Sequence, residues 1–219
     1  MIVKMIKVFT GPMFSGKSKG LFEAYDSIYN KSHIIVFKPV KDTRTPGVIA
    51  TRVEVDESGI KKEIYREISA VEIDSFEQII DAIYARFLEN PEIRIRTLLI
   101  DEAMLLEGNV AVLAMLSITW DMDIYISGLD KTAEQEPFGS MPDILAMADS
   151  IVKVMGSCYD CGREAQNTYY TLGQKEEVVI GSEGYIPICD RCLRLRHIKE
   201  KGKSFVMCNV PSELTKIYM

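Results

Sequence analysis

An α/β fold with a mainly parallel central sheet and a small appended module is what this sequence predicts, on three observations. The first is Gly11-Pro12-Met13-Phe14-Ser15-Gly16-Lys17-Ser18, which follows the apolar run Val3 to Phe9 and precedes a helical segment from Lys17 to about Tyr29. It matches the phosphate-binding pattern G-x-x-x-x-G-K-[ST] in its strand–loop–helix context, and so marks a P-loop core. The second is Thr97-Leu98-Leu99-Ile100, a buried-type strand that ends in two carboxylates, Asp101 and Glu102. The third is a pair of C-x-x-C turns, Cys158/Cys161 and Cys189/Cys192. Four thiolates on two tight turns complete a tetrahedral Zn²⁺ cage with no open position, which makes a structural rather than a catalytic site.

Each element has a chemical reason. Gly11 and Gly16 let the backbone turn with positive φ and approach a bound phosphate. The free N–H groups opening the helix then face the anion, with the helix dipole in support. Lys17 suits the β/γ-phosphates of ATP and the Ser18 hydroxyl suits Mg²⁺, while Asp101 at a strand end serves the same cation. Glu102, the next residue, points elsewhere and reads as a base for an acceptor near the γ-phosphate. The remaining chain follows in order. His33 to Phe37 reads as a buried strand, with His33 at the surface. Lys38-Pro39-Val40-Lys41-Asp42-Thr43-Arg44 breaks that pattern as a loop at a strand end, where α/β folds place their sites. Val53 to Val55 and Ile60 to Ile68 suggest a hairpin around Ser58-Gly59. Apolar residues at 76, 79, 80, 83, 84 and 87 predict a helix capped by Asp74 or Ser75. A helix over Val110 to Leu116, a strand over Asp123 to Gly128 and a long polar loop from Leu129 to Gly139 come next. Met141 to Ala148 reads as a short helix and Ser150 to Val154 as a strand. Met13, Met141 and Met147 read as packing residues.

Composition bounds the rest. A chain of 219 residues with 47% hydrophobic and 26% charged content supports one sizeable domain with an appendage. The predicted division is a nucleotide-binding domain over 1–153, a zinc module over 154–203 and a tail over 204–219. A formal net charge of −6 weighs against nucleic acid as a partner. The basic run Arg191, Arg194, Arg196, Lys199, Lys201 and Lys203 reads as a solvated face. No membrane span is expected, because no stretch of about 18 uninterrupted apolar residues occurs. Met1 to Thr10 leads straight into the P-loop, so no cleaved leader is expected. Paired cysteines in C-x-x-C turns indicate a reducing, cytoplasmic compartment. The interval between the two turns, about 27 residues, exceeds the usual spacing and implies a long loop. Cys208 reads as a free thiol, and His197 as a competing but unneeded ligand.

In this order, the motifs resemble the type II thymidine kinases. The P-loop is similar to that family's, and Lys38-Pro39 with Asp42 and Arg44 resembles its K-P-x-x-D-x-R loop. Ile100-Asp101-Glu102 resembles its acidic strand end; Gly128-Leu129-Asp130 with Pro137-Phe138-Gly139 matches the loop that follows, and Pro142, Leu145-Ala146 and Ala148-Asp149 continue the match. The cysteine turns, Arg163-Glu164-Ala165 and Ile180-Gly181 with Tyr185 resemble its "lasso" over the nucleoside. The resemblance implies ATP-dependent phosphorylation of a deoxypyrimidine nucleoside, thymidine foremost, with Glu102 as base on the 5′-hydroxyl and Arg44 stabilising phosphate charge. It implies a base pocket of Met13, Leu129, Thr168, Val179 and Tyr185, extended by Leu105, Ala133, Ile180 and Gly181. It also implies a homotetramer inhibited by deoxythymidine triphosphate.

The departures concern the pocket. Met104-Leu105 stands where the family often has Gln-Phe, and Ala133 where it usually has phenylalanine. Ala50-Thr51-Arg52 replaces a histidine-containing turn, and Lys19 stands where threonine or serine is common. Two aromatic walls are missing, each worth about 0.5–1.5 kcal/mol beyond area. A roomier pocket makes a substituted pyrimidine nucleoside the alternative substrate. The further rivals are an ATPase in which Glu102 activates water and a nucleotide-regulated zinc-ribbon protein that grips nucleic acid.

Overall fold

The computed structural model describes residues 5–57, 60–172 and 183–201. Its centre is a six-stranded sheet built from β1 (Ile6–Thr10), β2 (Ile34–Pro39), β5 (Val71–Ile73), β6 (Thr97–Ile100), β7 (Asp123–Gly128) and β8 (Ser150–Lys153). The spatial order is β5-β2-β6-β7-β1-β8, and every pairing is parallel. A parallel sheet needs cover on both faces, which is why β2 and β6 are buried at every position rather than at alternate ones.

The two faces separate by strand alternation. Val8, Phe37, Leu98, Ile100 and Ile126 belong to a large core under α2 (Gln78–Glu89), α3 (Ala111–Trp120) and α4 (Met141–Met147). Phe9, Val36 and Leu99 point the other way, against Leu21 and Phe22 of α1 (Lys17–Ser27) and Ile49 and Ile68 of a hairpin. That hairpin is β3 (Val48–Glu57) with β4 (Ile60–Ser69), joined in register with Glu57 opposite Ile60, as the expected turn requires. Gly20 lets α1 lie close on the sheet: a Cβ there would stand 2.5 Å from the Phe9 ring.

Three expectations need correction. The strand after His33 continues through Lys38 and Pro39, because the Lys38 side chain, fully buried, is bonded inside the fold instead of turning outward. The second helix begins at Gln78 with Glu77 as cap, not at Asp74 or Ser75. The backbone of 74–76 is held by Glu107, which donates its N–H to Asp74 C=O at 3.0 Å and accepts Phe76 N–H at 3.1 Å, so helical geometry cannot start there. Tyr84 and Phe87, expected on the apolar face, are exposed and stacked on one another at 6.5 Å.

Beyond the sheet, two short antiparallel pairs carry the cysteine turns. They are β9 (Gly156–Ser157) with β10 (Glu164–Ala165), and β11 (Asn167–Tyr170) with β12 (Tyr185–Ile188). They lead into α5 (Asp190–Lys201). Cys158, Ala165, Tyr169, Ile188, Cys189, Cys192 and Leu193 form their own small core. Arg196 pins α5 to the first turn through two bonds to Asp160, at 2.6 and 2.7 Å. Among the described residues, no helix is long and apolar enough to cross a membrane.

Candidate active site

The P-loop lies between β1 and α1, at the carboxyl end of the sheet. Gly11 has φ 144°, and a Cβ there would meet the Val154 carbonyl oxygen at 2.1 Å. Gly16 caps α1 at φ 85° with open space where a Cβ would go. The two glycines thus do different things: one permits close packing of the loop on Val154, just past β8, and the other turns the chain into α1. Pro12 C=O accepts both Ser15 Oγ and Lys17 Nζ at 2.8 Å, which holds the lysine over its own loop. Burial lowers the Lys17 pKa, against the opposing pull of Glu102 and Asp101. Phe14, a left-handed residue at φ 60°, is 60% exposed and leaves the cradle to its backbone.

At the end of β6, the two acids part. Asp101 is buried and accepts Ser127 Oγ, and its two oxygens stand 3.4 and 3.5 Å from Ser18 Oγ. Burial, then the charge of Glu102, pushes its pKa up to about 6. A buried carboxylate that is costly to ionise, facing the P-loop hydroxyl, has the donor chemistry of a Mg²⁺ site. Glu102 is left-handed at φ 49°, and this reversal sends its side chain away from Asp101 to Arg44, whose Nη2 donates to Glu102 Oε1 at 2.7 Å. A non-glycine residue held in this conformation stores backbone strain, a common mark of a working site. Arg44 Nε donates to Asp42 Oδ1 at 2.6 Å. Although burial lowers the Arg44 pKa, Glu102 and Asp42 outweigh it and raise it overall. Behind this pair, Lys38 Nζ lies 3.4 Å from Asp42 Oδ2 and donates to Thr45 Oγ1 at 3.1 Å, Val48 C=O at 3.3 Å and Thr45 C=O.

The proposed base-pocket residues are only partly gathered by direct bonds. Met13 N–H donates to Thr168 Oγ1 at 3.0 Å, so the P-loop and β11 touch. Gln135 Nε2 donates to both Ala133 C=O and Thr168 C=O at 3.2 Å, which brings the 129–139 loop to the same strand. Leu129 is buried in the large core, where Met13 and Leu105 pack at its edge. Tyr185 lies on β12 with its ring 4.9 Å from Tyr170. Val179, Ile180 and Gly181 lie outside the described residues, as does Cys208. Sequence reasoning missed Ser127, Lys131, Gln135 and Asn167, whose partners are remote in the chain; only the strand end and the loop that hold the first three were visible.

Cys158, Cys161, Cys189 and Cys192 present sulfurs that all lie within 4.8 Å of one another. The Cys161–Cys189 sulfur separation is 3.7 Å, which fits the edge of about 3.8 Å that a tetrahedron with Zn–S bonds of about 2.3 Å requires. Burial raises the Cys158 pKa, but backbone N–H groups at 189, 161 and 160 more than offset it and hold it at about 6. Cys192 is pushed up to about 12 by burial and its three sulfur neighbours. Four thiols that compete to share negative charge suit a dication. His197 is not in the cluster; its ring lies 5.9 Å from that of Tyr169.

Comparison with known proteins shows the family. A sequence model described as thymidine kinase matches residues 4–193. The chain is 29% identical over 195 residues to a thymidine kinase of Ureaplasma urealyticum, covering 85% of this chain and 81% of that protein. It is 29% identical over 195 residues to one of Pseudothermotoga lettingae, covering 85% and 93%. A thymidine kinase of Mycoplasma mobile is 25% identical over 213 residues, 96% of each chain. With the match running from the first strand through both cysteine turns, the chain belongs to the thymidine kinase family.

Proposed function

We propose that this chain transfers the γ-phosphoryl group of ATP to the 5′-hydroxyl of thymidine, or of a closely related deoxypyrimidine nucleoside. The observation that carries this reading is the placement of Ser18 and Asp101 side by side while Glu102 turns away to Arg44. One acid is thereby left for a cation and the other for an acceptor hydroxyl. ATP would supply the phosphoryl group and leave as ADP, and a Mg²⁺ held by Ser18 and Asp101 would neutralise the charge that develops. The loop from Gly11 to Ser18 binds and orients the phosphates through the backbone N–H groups of residues 14–18, since Pro12 has none and the Met13 N–H is given to Thr168, with Lys17 adding its charge. Glu102 takes the proton of the 5′-hydroxyl, and Arg44, held by Asp42, stands ready to exchange Glu102 for phosphate oxygens. Met13, Leu105, Leu129, Ala133, Thr168 and Tyr185 shape the nucleoside side, together with Val179, Ile180 and Gly181.

Cys158, Cys161, Cys189 and Cys192 would hold a structural Zn²⁺, which would brace the module that presents Thr168 and Tyr185. The division into a kinase domain over 1–153, a zinc module over 154–203 and a tail belongs to the same reading. So do a cytoplasmic location, a homotetramer and inhibition by deoxythymidine triphosphate; these rest on family resemblance. Leu105 and Ala133, both smaller than the phenylalanines usual in the family, favour adding 5-substituted deoxyuridines to any substrate panel. The test is labelled ATP offered with such a panel to the wild type and to Glu102→Ala. One or more deoxypyrimidine monophosphates should carry label with the wild type. The variant should still bind ATP yet transfer at least about 10²-fold more slowly, the contribution of a general base. Wild-type turnover by Glu102→Ala, or ATP hydrolysis indifferent to nucleosides, refutes the reading.

A further inference from the structure

The 129–139 loop is bonded to itself and, through Lys131, to β11. Its backbone closes on itself, with Thr132 N–H donating to Glu136 C=O at 2.8 Å and Phe138 N–H to Asp130 C=O at 3.1 Å. At its tip Gln135 has φ 69°, a left-handed conformation that is unfavourable for a non-glycine residue. Both ends of the Gln135 side chain are engaged: Nε2 reaches Ala133 C=O and Thr168 C=O, and Oε1 accepts Lys131 Nζ at 3.2 Å. The same ammonium donates to Asn167 Oδ1 at 2.6 Å. Asn167 is buried and donates in turn to Asp190 Oδ1 at 2.6 Å, in the turn between Cys189 and Cys192. Thr168, the next residue, accepts the Met13 N–H of the P-loop. Lys131 is therefore where the loop, β11 and the second cysteine turn meet.

We propose that Lys131 is a positioning residue for the nucleoside: its ammonium clamps the 129–139 loop onto β11 and sets where Ala133 and Thr168 stand relative to Met13. The inference rests on the kinase reading above and names a residue that this reading leaves without a role. The charge matters more than the stem. A neutral side chain of similar length fills the same space but deprives Asn167 Oδ1 and Gln135 Oε1 of their shared donor, and a buried acceptor without a donor is costly. The loop then has to move to rehydrate them. The chain of bonds enters the P-loop at Met13, whereas Lys17 and Ser18 bond to Pro12 and Asp101. The effect thus falls on the nucleoside and spares ATP.

The test compares Lys131→Met and Lys131→Arg with the wild type, measuring KM for thymidine and for ATP, thymidine binding without ATP, thermal melting and bound zinc. Lys131→Met should raise the thymidine KM and Kd about tenfold, the scale of one charge-assisted hydrogen bond, while the ATP KM moves less than about twofold. Lys131→Arg, which keeps the donor charge, should recover most of that loss. Unmoved thymidine binding in Lys131→Met overturns the clamp. So does an equal rise in both KM values, or a loss of fold or zinc accompanying the loss of affinity, since each marks the lysine as merely structural. A wild type that phosphorylates no nucleoside overturns the kinase reading instead, and the clamp with it.

Discussion

Asp42 shows how a residue outside the chemistry can govern it. Its carboxylate accepts Arg44 on one oxygen and faces the fully buried Lys38 with the other. Burial raises its pKa, but the Arg44 bond and charge, with Lys38, overcome this and leave it below the usual carboxylate range. A depressed folded-state pKa means stability that is present above the unfolded value of about 3.9 and is lost as pH falls through the folded value. Asp42→Ala should therefore cost about 3 kcal/mol at pH 7, by leaving Lys38 buried beside an empty place. The deficit should begin to shrink as pH falls below the unfolded value of about 3.9, and should close only below the lowered folded-state value, where the wild type also loses the charge. Urea unfolding at pH 7 and at a series of values descending from about pH 4 measures this, and a gap that stays constant contradicts it. The K-P-x-x-D-x-R motif was legible in the sequence, but its division of labour was not. That Lys38 turns inward depends on Thr45 and Val48 waiting to receive it.

At the scale of elements, the P-loop separates two uses of glycine that the motif alone merges. Gly16→Ala meets open space and only the strain of positive φ, so the fold should lose about 1–2 kcal/mol. Gly11→Ala carries a comparable strain and also drives a methyl group into the Val154 carbonyl, so it should be clearly the less stable of the two. Denaturant midpoints of the two variants check the order, and equal midpoints refute the packing argument. Strands over 34–37 and 97–100 could be read from β-branched and apolar runs because these parallel strands are buried on both faces. The start of α2 could not. The backbone bonds that hold 74–76 out of the helix come from Glu107, more than thirty residues onward.

For the whole molecule, the cysteine module and the P-loop are one assembly joined through Met13 and Thr168. Cys158→Ser with Cys189→Ser should release zinc and weaken thymidine binding, while ATP still binds to a P-loop seated on the central sheet. Metal content by atomic absorption and separate titrations with the two ligands measure this. A double variant that stays zinc-replete, or one that binds thymidine as tightly as the wild type, contradicts it. A fifth thiol and a nearby histidine left the ligand set slightly open on spacing alone. The fold closed it for His197 by packing that ring beside Tyr169 while four sulfurs converge.

From its residues alone, this chain declares a phosphate loop, an acidic strand end and a four-cysteine site, because each is a local pattern whose chemistry depends on near neighbours. The left-handed turn at Glu102 that parts the two acids, the inward path of Lys38 and the Lys131–Asn167 clamp belong to tertiary structure. Each joins groups from separate strands and loops, and the free energy of burying a charge is set by partners that only the folded chain brings within reach.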